Sequence, residues 1–177
     1  MTYGRPPILI PRELASLVSR FEGVPGARLL SEIDEAVLMG LGVTGAEMRG
    51  GSRHLKIVSA RRAAVWVLYA VPVIATLSHP DISLHFGKPT HSGVTTRWID
   101  TRELLYASSG PGLPARSLLI RDIAAVLEAA DALLNATSAR ARHASELPTV
   151  LPHPPAGNGA TPARTDAPRC GEFEVVA

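Results

Sequence analysis

A length of 177 residues suits one domain with room for a tail and excludes a multidomain enzyme. Hydrophobic residues at 46% and charged residues at 19% are enough for a core, while only 5% aromatic residues, with 15 glycines and 15 prolines, imply that part of the chain lies outside it. A formal net charge of +2 with a pI near 9.0 argues against an acidic surface and permits a nucleic-acid partner.

The single cysteine, Cys170, excludes an internal disulfide framework and any paired-thiol zinc site, and it fits a reducing compartment. At the start, Met1 to Pro7 is followed by only Ile8-Leu9-Ile10 before Pro11. That run is too short for the apolar core of a signal peptide, so a cytoplasmic location is expected.

In chain order the sequence reads as helices and turns, with no alternating β-branched run, and the expected class is all-α. Leu14, Leu17, Val18 and Phe21 share one face of a short first helix between Pro11 and Gly23. Ser31 to Asp34 has the spacing of an N-cap ahead of Ile33, Val37, Leu38 and Leu41, with Gly40 and Gly42 as stops. Thr44-x-x-Glu47 offers a capping box, and Arg49-Gly50-Gly51-Ser52-Arg53 follows as a glycine-hinged basic loop. A longer helix is expected from Ser59 to about Leu77. Its uncharged stretch, Ala63 to Leu77, is shorter than the roughly 20 residues of a membrane span, so it reads as a buried central helix, kinked at Pro72.

The next segment carries the most specific pattern. Ser78 can cap a short helix with Pro80 in its first turn, Asp81 beside the N-terminal dipole, and Ile82 with Phe86 as an apolar i, i+4 pair. Gly87 suits a left-handed C′ position, Lys88-Pro89 ends the helix, and Thr90 can cap a second one with Val94, Trp98, Ile99 and Leu105 inward. This is the layout of a helix-turn-helix, whose second helix would present Thr90, His91, Ser92, Thr95, Thr96 and Arg97 to base edges. Charge is concentrated in the same stretch: from Arg49 to Arg97 there are seven cations (Arg49, Arg53, Lys56, Arg61, Arg62, Lys88, Arg97) against Asp81 alone. The local balance is +6, leaving −4 for the rest of the chain.

On these residues, Val43 to Trp98 resembles the C-terminal DNA-binding domain of the bacterial replication initiator DnaA. The resemblance is carried by Arg53 and Lys56 in the basic loop, by Arg62 near the start of the long helix, and by Pro80-Asp81-Ile82, Phe86-Gly87 and His91-Ser92-x-Val94. It covers about a third of the chain and implies a helix-turn-helix that binds double-stranded DNA. By resemblance Arg53 enters the minor groove, Arg62 reads a base in the major groove, and Thr90, His91 and Ser92 make base and phosphate contacts. The chain departs from the family at Ser83, Pro89, Thr90, Gly93 and Ala63, and it lacks the family's ATPase module: Gly87-Lys88-Pro89-Thr90 has neither the earlier glycine nor the Ser or Thr after Lys88 of a phosphate loop.

No enzyme is expected. The six histidines, His54, His79, His85, His91, His143 and His153, include no pair at zincin spacing, and Ser108 to Gly112 contains no nucleophile elbow, so no metal or cofactor is expected. A final helix from Ala115 to about Asn135 gathers Leu119, Ile123, Val126, Leu127, Ala130, Leu133 and Leu134 on one face, for packing onto the domain or for a homodimer or protein partner. The proline-rich stretch from Ala136 to Ala177 reads as a disordered tail. The expected organisation is thus an N-terminal helical extension (1–27), a helix-turn-helix domain (28–109), an amphipathic helix (110–135) and a tail (136–177). The expected role is a nucleoid-associated regulator of transcription or replication initiation that does not contact the membrane. The alternative is a protein-interaction module or dimerising scaffold using residues 115–135.

Overall fold

A computed structural model describes residues 10–71, 77–87, 92–106 and 112–146. The described residues are all-helical: α1 (Ala15–Val18) between the 3-10 turns Arg12–Leu14 and Ser19–Phe21, α2 (Gly26–Leu41), α3 (Gly45–Arg49), α4 (Leu55–Ala70), α5 (His79–His85), α6 (Ser92–Leu105) and α7 (Leu113–Glu146). Pro72 and its expected kink lie outside the described residues, as does the segment 147–177.

The central layer is α4, in which every residue from Ala63 to Ala70 is buried, so its expected role as a core helix holds. Around it, α2 and α7 pack on one side and α5 with α6 on another. The inward stripe of α7 is the expected one: Leu119, Ile123, Val126, Leu127, Ala130 and Leu134 are buried in the common core. Tyr69 of α4 lies between His79 of α5 and Trp98 of α6, with ring centroids 4.8 and 4.9 Å away, and so ties both helices to the centre.

Several boundaries differ from the sequence pattern for physical reasons. α2 begins at Gly26 rather than at Ser31, because Pro25 sets an extended entry and its carbonyl already accepts from Arg28 and Leu29. Ser31 lies inside the helix and donates to the carbonyl of Arg28 at 2.8 Å. Gly40 does not stop α2. It allows α7 to approach so closely that a Cβ there would sit 2.7 Å from the carbonyl oxygen of Ala125. The stop is Gly42, whose φ of 61° lets its N–H bond the carbonyl of Leu38. The long helix starts at Leu55 and ends at Ala70, and α7 runs past Asn135 to Glu146, so the first residues assigned to the tail are helical. The N-terminal turns, the middle helices and α7 share one core. Arg28 donates to the carbonyl of Leu134 and the hydroxyl of Ser138, and Arg116 joins Glu13 at 3.1 Å while capping the carbonyl of Leu105 at the end of α6.

Candidate nucleic-acid interface

Both short helices beside the basic loop are fixed by their own sequence. Thr44 and Glu47 form a reciprocal capping box at α3, and Ser78 and Asp81 form one at α5, where each acid also favours the N-terminal dipole. Those hydrogen bonds hold the Glu47 and Asp81 carboxyls below their ordinary pKa. Gly87 has φ of 64°, the left-handed turn expected after α5, and its Cα faces the Arg49 side chain.

The basic loop is held from inside. Arg61 is 4% exposed, and its guanidinium donates to four carbonyls: Nε to Met48 at 2.6 Å, Nη1 to Ser52 at 2.5 Å, and Nη2 to Glu47 at 2.8 Å and Gly50 at 2.6 Å. These are the last carbonyls of α3 and those of the loop, groups that a helix end leaves without partners. Arg61, expected as a DNA-facing cation, is therefore an interior clamp whose donors are spent on the backbone. Burial pushes its pKa down from the ordinary guanidinium value, but an arginine stays charged.

That buried charge has a neighbour. Arg97 on α6 is half-buried, its Nη1 has no hydrogen-bond partner, and burial followed by repulsion from Arg61 lowers its pKa. Arg61 thus links the loop and α6 in one electrostatic neighbourhood, with Arg53 exposed on the loop. On α6, Thr96 is exposed and Gly93 and Thr95 are half-buried, while the acids Asp100 and Glu103 come only later along the helix. Ser92 opens the helix. Lys88, Thr90 and His91 lie outside the described residues.

Behind the loop, Asp34 of α2 accepts from Arg49 of α3 at 2.6 Å and pairs with the His85 ring of α5 at 3.0 Å. Burial raises the Asp34 pKa, but these two partners outweigh it and hold the carboxyl below its ordinary value. This carboxylate at the junction of three helices was not singled out by the sequence reading, since no spacing rule pairs residues 15 and 51 apart.

Arg62 and Lys56 point elsewhere. Both line a 710 Å³ groove between α4 and α7, together with Arg121 and Asp122 of α7. Lys56 reaches the carbonyl of Gly42 at 3.3 Å. Asp122 is 8% exposed and accepts from Ser59 at 2.5 Å and from Arg121 at 3.1 Å. Arg53 is exposed on the loop ahead of α4, whereas Arg62 lies two turns into α4 on the groove it forms with α7. Among the described residues no group of three or more His, Cys, Asp or Glu is placed to hold a metal ion, and no helix is long and apolar enough to cross a membrane. No protein-family model, curated protein or solved structure matches the chain.

Proposed function

We propose that the chain binds double-stranded DNA through the loop Gly50 to His54 and the N-terminal part of α6, as a regulator of transcription or replication initiation acting at the nucleoid. The observation that carries this reading is the guanidinium of Arg97, half-buried beside the charge of Arg61 and with no acid paired to either among the described residues. The two guanidiniums lie close enough to repel. A phosphate at this surface offsets that repulsion.

The exposed Arg53 adds a cation on the adjoining loop, and the hydroxyls of Thr95 and Thr96 are of the type that bonds phosphates and base edges. Support also comes from α5 and α6, which pack on each other with a left-handed glycine after the first, in keeping with a helix-turn-helix. In this reading Arg53, Arg97, Thr95, Thr96 and the turn bearing Lys88, Thr90, His91 and Ser92 form the contact surface, and Arg61 positions it. Fluorescence anisotropy with mixed-sequence duplexes tests the proposal. Affinity that falls steeply with salt is expected, and absence of binding at low salt would overturn it.

A further inference from the structure

We propose that the groove between α4 and α7 is a docking site for an acidic, amphipathic segment of a partner protein. The floor of the groove is apolar, with Leu41 from α2, Val58 from α4 and Leu119 from α7. Its edges continue that surface outward, because Leu55 is 85% exposed and Leu118 is 52% exposed. Scattered exposed leucines are ordinary, but two that flank one open concavity offer an apolar surface on which a partner's side chains can be buried. The groove is open at Leu55 and Leu118, one on each helix, and so suits an occupant that lays side chains along it rather than an enclosed small molecule.

Charge selects the sign of that occupant. Lys56, Arg62 and Arg121 border the groove, against the single carboxylate of Asp122, which is already satisfied by Ser59 and Arg121. Arg62 has no hydrogen-bond or ion-pair partner among the described residues, so its donors are available to a carboxylate at the rim of a patch that excludes water. A partner with leucine-like side chains on one face and Asp or Glu beside them meets both requirements. A nucleic acid would leave the leucines without contacts, and a basic peptide would be repelled. The inference is independent of DNA binding, since the residues it uses are not those of the α6 surface.

A random peptide library selected against the immobilised full chain tests this. The recovered peptides are expected to carry two or three large apolar residues with flanking carboxylates. Their binding should weaken roughly tenfold or more in Arg62→Glu and in Leu118→Gln, and should be unchanged in Arg53→Ala. Both groove substitutions are at residues with solvent access, and thermal melts of each variant check that the fold is kept. Recovery of basic or neutral peptides, indifference of the binding to the groove variants, or a dimer in sedimentation that Leu118→Gln disperses would each overturn the proposal.

Discussion

The two sides of α4 are held by different physics. Toward α2 and α7 the core contacts are mostly apolar, with the backbones of α2 and α7 themselves brought together at Gly40 and Ala125. Toward α3 and the basic loop the work falls to charged side chains turned inward: Arg61 clamps four carbonyls, and Asp34 joins α2 to Arg49 and His85. Apolar packing fixes a helix anywhere along a broad stripe, whereas a guanidinium with four assigned acceptors fixes a loop of irregular backbone that has no ladder of its own. A surface that must meet a ligand with defined geometry benefits from the second kind of support.

Substitutions can break that contrast in graded steps. Arg61→Ala should have the largest effect, removing about 3 kcal/mol from the unfolding free energy measured in denaturant, because buried carbonyls lose a charged donor. It should also release the loop, seen as faster amide exchange from Glu47 to His54. Gly40→Ala should cost about 2 kcal/mol net, the overpacking against Ala125 exceeding the gain in helix propensity, without altering loop exchange. If both substitutions loosened the loop equally, the two sides would not be held independently.

Arg53→Ala should leave the melting temperature unchanged while weakening duplex binding by about 1 kcal/mol and lowering the salt slope by about one. Asp34→Asn should give the smallest effect, and one that depends on pH. The folded pKa of Asp34 lies below the ordinary 3.8, so its stabilisation is fully present above that value and is lost as pH falls through the folded one. The variant should therefore be less stable than the parent at neutral pH and should converge with it in acid, as followed by denaturant midpoints.

How much of this was legible depended on distance along the chain. The Thr44–Glu47 capping box, the Ser78 cap and the Gly87 turn are set by residues three apart or by one φ value, and the sequence pattern placed them where they occur. The continuous apolar run of α4 and the apolar stripe of α7 were equally plain, the first because it is buried all round and the second because one-sided burial imposes the helical period. Arg61 and Arg62, by contrast, are identical in type and adjacent. Only the carbonyls of α3, brought near by the fold, decide that one turns in and the other faces the α7 groove. Gly40 read as a stop because a glycine needed for close approach looks the same in sequence as one needed for a turn. The extension of α7 to Glu146 escaped the pattern because Ala136, Ala139, Ala141 and Ala144 favour helix by propensity and build no apolar face.

The ties between the first helices and the last also set an order in time. α2 lays its buried stripe against α7, and Arg20, Arg28 and Glu13 find their partners 103 to 111 residues further on. As the chain leaves the ribosome, α2 emerges with an apolar face that nothing yet made can cover fully, and α3 to α6 follow while that face is still open. The core closes only when α7 arrives, so a chain cut short before Leu113 would carry the Arg61 clamp on its loop but leave the stripe of α2 and one side of α4 uncovered.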